Sequence, residues 1–201
     1  MQPYFLPYPG YYLLHKNVDL FVILDDVEFN RRGFVHRNKV EINNKVSWLT
    51  LPLKKKSRGV FINDLEFDLK GYQIEKFLKK LEFFFRDDAI SFLKKDLSNF
   101  ELKPIEYLFN LNNTITKKIN VTKKTIYSST IPVKNQKGEN RIINICKYLD
   151  AREYVNLPGG KLFYNSENFV KNDIKLKFLD EYTGDKISIL NYIKNDPNFR
   201  L

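Results

Sequence analysis

Leu20-Phe21-Val22-Ile23-Leu24-Asp25-Asp26 joins five apolar residues to two carboxylates. A run of strand length that is apolar on both faces predicts a strand in a covered, largely parallel sheet. In such open α/β sheets ligands gather outside the carboxyl ends of the strands, so Asp25 and Asp26 stand where a site forms. Paired acids there can hold Mg²⁺ with a phosphate or orient an amine; they can equally be a solvated strand end. Arg31, Arg32, Arg37 and Asn38 follow within a dozen residues, and arginine's planar fork suits phosphate and carboxylate.

Upstream, Met1-Gln2-Pro3-Tyr4-Phe5-Leu6-Pro7-Tyr8-Pro9-Gly10-Tyr11-Tyr12 crowds three prolines, a glycine and four tyrosines together. Proline fixes its own φ and biases the preceding residue toward extended backbone, so Gln2, Leu6 and Tyr8 are expected outside any helix. Gly10 marks the turn, and Tyr11, Leu14 and Val18 carry the spacing of one helical face. The stretch reads as a rigid loop feeding a helix, whose N-terminal N–H groups suit an anion. Core packing of the tyrosines around a plain turn is the competing reading.

Downstream, residues 38–53 alternate about Asn43-Asn44, which predicts a hairpin because asparagine tolerates positive φ. A further short strand is expected over residues 64–68. From about residue 72 to 120 the period becomes helical, with one stripe through Ile74, Phe77, Leu78, Leu81 and Phe85. A second runs through Ile105, Leu108, Phe109, Asn112 and Ile115, opened by Pro104. The rest predicts a strand at 125–128, a polar loop at 134–138 and a helix at 139–149. Beyond it come a strand at 154–156, a helix at 167–170, a strand at 174–179 and a helix at 187–193. That alternation argues for crossover connections. The expected architecture is α/β: a mostly parallel sheet with flanking helices, an antiparallel hairpin extension and a helical middle insertion. The parts are 1–70, 71–122 and 123–201 of a single domain.

The chain has 201 residues, 43% of them hydrophobic and 15% aromatic, which excludes a disordered tail. No run approaches the ~18 apolar residues of a membrane span, nor is a signal peptide evident, so a cytoplasmic location is expected. The single cysteine, Cys146, shares a helical side with Ile142 and Leu149 and reads as a small buried hydrophobe. With only His15 and His36, a three-histidine zinc site is excluded, and no metal ligands are assigned. A net charge of +10 favours an anionic partner.

Three further constellations carry possible chemistry. Lys54-Lys55-Lys56-Ser57-Arg58 reads either as a basic loop closing over phosphates or as a charged surface turn. Pro158-Gly159-Gly160-Lys161 follows a strand, where glycines let backbone approach a ligand and Lys161 can meet an anion. Arg141, in the first turn of a helix, can bind a negative group together with the helix dipole.

These pieces, in order, resemble the WbqC-like family of bacterial proteins found among genes for O-antigen and other surface polysaccharides. The resemblance is carried by Gln2-Pro3-Tyr4-Phe5 to Gly10-Tyr11, Asp25-Asp26-Val27 with Phe29, Arg32-Gly33, Arg37-Asn38 and Trp48-Leu49-Thr50 with Pro52. It continues through Arg141-Ile142 with Cys146-Lys147, Pro158-Gly159-Gly160-Lys161 and residues 174–179. It implies a cytoplasmic transferase in lipopolysaccharide assembly that attaches glycine or another aminoacyl or acyl group to a nucleotide-linked amino sugar. Gln2, Tyr4 and the Gly10 backbone would line the pocket, with Asp25, Asp26 and Gln2 as catalytic residues. Arg32, Arg37, Asn38, Lys55, Arg141, Gly159, Gly160 and Lys161 would bind substrate.

Two departures stand out: His36 replaces an expected asparagine, and the family's short strand before the Gln-Pro motif is expected upstream of Met1. A strand, Pro-rich loop and helix also resemble the nucleotide site of class I synthetases, although this loop has no histidines and Gln2 would have to substitute. That analogy names ATP with Mg²⁺, or an aminoacyl donor such as a charged RNA, as cofactor candidates. The alternative is a non-catalytic accessory protein that binds RNA or an anionic carrier lipid.

Overall fold

The computed structural model describes residues 1–133 and 136–201. The elements are α1 (Pro9–Lys16), β1 (Leu20–Ile23), β2 (Arg37–Ile42), β3 (Lys45–Thr50), α2 (Tyr72–Phe85), α3 (Lys94–Leu97) and α4 (Pro104–Lys118). They continue with β4 (Lys124–Tyr127), α5 (Gly138–Tyr148), β5 (Glu153–Asn156), α6 (Ser166–Val170), β6 (Lys175–Phe178) and α7 (Ile189–Asn195). The fold is mixed α/β. Of the polar loop expected over 134–138, Lys134 and Asn135 lie outside the described residues.

The apolar run does pair in parallel: β1 lies beside β4, with Leu20 opposite Lys124 and Ile23 opposite Tyr127. A second parallel pair joins β5 to β6, Glu153 opposite Lys175. Among the described residues these remain separate two-stranded sheets. A groove of about 450 Å³, lined in part by Val22, Leu24, Ile142, Cys146 and Tyr154, runs between β1 and β5. Met1 lies along β1, its carbonyl accepting the Leu24 N–H at 2.9 Å.

The hairpin forms as its asparagines dictate. Asn43 and Asn44 take φ of 51° and 59°, and β2 pairs antiparallel with β3. Helix α7 covers β2, its Asn191 side chain donating to Glu41 O at 2.8 Å and accepting from Glu41 N at 3.0 Å. No strand forms over residues 64–68. Pro52 has no N–H to give a ladder, so the partner segment makes one bridge, Leu53 to Phe67, and the preceding Ile62–Asp64 is a 3₁₀ turn.

In the helical block, α2 buries Phe77, Leu81 and Phe84 rather than Leu78 and Phe85; Leu78 is 39% exposed. Each fully buried ring or leucine contributes ~1.5–3 kcal/mol. Phe77 meets Phe5 at 6.1 Å between ring centroids, so the block shares its core with the N-terminal loop. Asn112, the polar member of the α4 stripe, ties the two together: its Nδ2 donates to Tyr4 O at 3.0 Å, and Tyr12 OH donates to its Oδ1 at 2.9 Å. A smaller core of Ile142, Ile143, Cys146, Phe169 and Ile174 holds α5 and α6 to the β5–β6 pair.

Candidate functional site

The strand pair β1–β4 delivers two acids and two hydroxyls to one place, because parallel neighbours end on the same side. Asp25 and Asp26 follow β1; Ser128 and Ser129 follow β4. Asp25 is 4% exposed and fully engaged. Its Oδ1 accepts from Ser129 N at 2.9 Å and Ser128 Oγ at 3.2 Å, and its Oδ2 accepts from Ser129 Oγ at 2.6 Å. The Ser129 N–H and O–H stabilise the buried carboxylate, and the single Ser128 proton is shared between it and Asp26. Ser129 itself is an exposed residue whose hydroxyl is oriented by the buried acid.

Asp26 has another role. Its carboxylate accepts from Ser128 Oγ and pairs with the Arg141 guanidinium, which also donates to Asp26 O at 3.2 Å. Burial pushes Asp26 toward the protonated form, but the Ser128 and Arg141 hydrogen bonds and the arginine's charge outweigh it and hold the pKa below its ordinary value. Arg141 is 8% exposed, and among the described residues its Nε has no partner. Arg141, expected to meet a substrate anion, has its guanidinium buried against a carboxylate of its own chain.

Two other expected contacts become structural. Asn38 is completely buried: its Nδ2 donates to Leu6 O at 2.6 Å and its Oδ1 accepts from Lys39 N at 2.8 Å. It holds Leu6 at φ 46°, a left-handed backbone that a leucine adopts only when its surroundings enforce it. Gly10 is sealed rather than open to a ligand. A Cβ there would lie 2.3 Å from Tyr8 Cε2 and 2.7 Å from Tyr182 Cβ.

Gln2 and Tyr4 sit on the loop that leaves the β1 edge. The Gln2 side chain is exposed and its carbonyl accepts from Tyr11 OH at 3.2 Å; Tyr4 is half-buried, with its ring 5.5 Å from Tyr11 and 4.9 Å from Phe34. After β5, Gly160 packs so closely that a Cβ would stand 2.6 Å from Asn156 Nδ2, whereas Gly159 faces open space and Lys161 is exposed. The chain leaving β6 then reaches the N-terminal loop, where Tyr182 meets Tyr8 at 5.6 Å.

The basic residues divide by their partners. Lys54 and Lys56 both pair with Glu66, and Arg31 donates to Lys56 O, so the basic loop is fastened at three points. Lys55 and Arg32 are exposed. Arg37 donates to Gly33 O at 3.3 Å and Arg32 O at 2.9 Å, with its guanidinium 4.5 Å from the Trp48 ring centre.

The histidines stay apart from the acids. Burial first, then the N-terminal charge, brings His15 down to about 4; burial, then Arg37 and Arg31, does the same for His36. His15 stacks on Phe21 at 4.0 Å and borders a cavity of about 20 Å³ that none of the acid-cluster residues lines. Cys146 is 5% exposed, and burial pushes its thiol up to about 11, which suits the buried hydrophobe expected of it.

A family model described as the WbqC-like protein family matches residues 2–187. The chain belongs to the WbqC-like family. Its relatives include an uncharacterized protein of Mycobacterium tuberculosis, Rv1507c, 23% identical over 194 residues, which cover 92% of this chain and 81% of that one. No solved structure matches it significantly. The matched residues take in the N-terminal loop, both acids, Ser128, Ser129, Arg141 and the Pro158–Lys161 turn. Sequence reasoning passed over Ser128 and Ser129, whose only signal was a pair of hydroxyls at a strand's carboxyl end. Among the described residues no group of three or more metal-ligating side chains occurs, and no helix is long and apolar enough to cross a membrane.

Proposed function

We propose that this WbqC-like protein is a transferase of surface polysaccharide assembly that acylates, with a glycyl or similar group, the amine of a nucleotide-linked sugar. The observation that carries this reading is the hydroxyl of the exposed residue Ser129 bonded at 2.6 Å to the buried Asp25 carboxylate, outside the carboxyl ends of two parallel strands. Such a pair can accept and pass a proton without leaving an unpaired charge. The amine nitrogen forms the amide bond, the donor's acyl–oxygen bond breaks, and one amine proton moves through Ser129 to Asp25 and on to the leaving oxygen. Asp26, already paired with the Arg141 guanidinium and bonded by Ser128, is left as the partner of that arginine, and the base is assigned to Asp25. Exposed Gln2, Arg32 and Lys161 are available to a substrate's polar and anionic groups.

The test is acyl transfer to a nucleotide-linked amino sugar by Asp25→Asn, Ser129→Ala and the parent, with folding checked by melting temperature. Loss of the general base lowers turnover by ~10²–10⁴-fold in Asp25→Asn. Full turnover in both variants would remove the assignment. The accessory-protein reading draws on the net charge of +10 and predicts RNA or anionic-lipid binding that collapses with salt while no transfer occurs.

A further inference from the structure

Beyond the acid cluster, the N-terminal loop continues into a row of rings. From Tyr4 the row passes to Phe34 at 4.9 Å and on to Trp48 at 6.1 Å, with interplanar angles of 31° and 37°. Two of the three rings remain open to solvent, Phe34 at 43% and Trp48 at 38% exposure. Phe34 is fixed from behind, because its carbonyl accepts from Phe5 N at 3.0 Å, and Trp48 stands on β3 opposite Lys39 of β2. Neighbouring exposed rings rimmed by polar residues mark an interaction site.

The same row is flanked by positive charge. The Arg37 guanidinium lies over the Trp48 ring at 4.5 Å from its centre and Lys39 Nζ at 5.9 Å, so a stacked ligand would use the part of the ring they leave uncovered. The Arg37 fork is held by two backbone carbonyls rather than by an acid, and among the described residues no carboxylate pairs with Arg32, Arg37 or Lys39. A flat apolar face beside preorganised, uncompensated cations fits a ligand that is itself flat on one side and anionic on the other.

We infer that Phe34 and Trp48 form a stacking platform for the base of a free nucleotide, with its phosphate held by Arg37 and Lys39. This deepens the proposed transferase reading and rests on it, since the platform would hold the nucleotide of the nucleotide-linked sugar. The ring row would carry that nucleotide's sugar back along Tyr4 toward Gln2. Stacking accepts any base, so the platform sets affinity for nucleotides as a class rather than for one base.

The probes are the four ribonucleoside monophosphates, base-free ribose 5-phosphate and a ten-nucleotide single-stranded RNA, titrated against the full chain at fixed salt. The expected result is that the monophosphates bind about ten-fold or more tightly than ribose 5-phosphate, and that Phe34→Ala with Trp48→Ala abolishes that difference at unchanged melting temperature. Trp48→Phe keeps a ring and should retain most of it, whereas Arg37→Gln should weaken monophosphate and ribose 5-phosphate alike. Equal binding with and without a base, no binding of any monophosphate, or a base preference that survives the double alanine variant would overturn the platform. RNA binding more than 100-fold tighter than any monophosphate would overturn the free-nucleotide assignment and favour a strand of RNA. Base-dependent binding without acyl transfer would defeat the transferase reading alone, and transfer without base preference would defeat the platform alone.

Discussion

Breaking the Asp26–Arg141 pair from its two ends should have unequal costs. In Asp26→Ala a guanidinium whose side chain is 9% exposed loses its counter-charge, and among the described residues only the Asp26 carbonyl at 3.2 Å and Ser128 Oγ at 3.4 Å remain within reach. Leaving a buried charge uncompensated costs ~3–5 kcal/mol. Arg141→Met removes the charge instead, keeps an apolar stem in the same space and leaves an Asp26 side chain that is 27% exposed and can take water. That change should cost ~1–3 kcal/mol, the range for an unsatisfied but partly solvated acceptor. Urea unfolding at pH 7 measures both, against a total stability of ~5–15 kcal/mol for a domain. The pH dependence gives an independent check of sign. Asp26 has a lowered folded pKa, so its contribution is complete above the ordinary carboxylate pKa and disappears as pH falls through the lower folded value. The stability gap between parent and Asp26→Ala should therefore shrink at acid pH. An Arg141→Met cost equal to or above that of Asp26→Ala at pH 7 would refute the assignment of the arginine as the buried member.

Three further outcomes follow from individual side chains. Gly10→Ala forces a Cβ within 2.3 Å of Tyr8 Cε2 and 2.7 Å of Tyr182 Cβ and should lose ~1–3 kcal/mol by overpacking, measurable as a lowered melting temperature that Tyr8→Ala relieves only in part, because the Tyr182 contact stays. Asn38→Ala strands the buried Leu6 carbonyl and the Lys39 N–H; two lost bonds and an unpaired acceptor sum to ~2–4 kcal/mol in urea unfolding, and an effect below about 1 kcal/mol would show that Leu6 holds its left-handed backbone unaided. Cys146, with its thiol pushed up to about 11, should react slowly with a disulfide reagent at pH 8 and rapidly once unfolded in urea; equal rates would place it at the surface.

How far the chain alone carries can be judged from particular residues. The proline spacing led to the extended Tyr8 and to α1 because a pyrrolidine ring acts on its own φ and on its neighbour, whereas Leu6 before Pro7 is left-handed at φ 46° because tertiary contacts override that bias. The hairpin at Asn43-Asn44 was legible for a similar local reason, as was the parallel strand in the unbroken apolar run. The α2 stripe was displaced because Phe84 and Phe85 are both aromatic, and periodicity alone does not say which turns to the core. In the candidate site, the two acids announced themselves at a strand end. Their partners did not: Ser128, Ser129 and Arg141 lie more than a hundred residues away, and strand pairing rather than local preference brings them in.

Local sterics and hydrophobic period, acting over a few residues, thus determined where this chain turns, extends and coils. Tertiary structure decided what each polar group does. Arg141 is a counter-ion, Asn38 a clamp, Gly10 a packing gap and Ser129 a presented hydroxyl, because each role depends on burial and on a partner distant in the chain. Burial makes an unpaired polar group costly, so the fold assigns each partner, and no spacing along the chain encodes that choice.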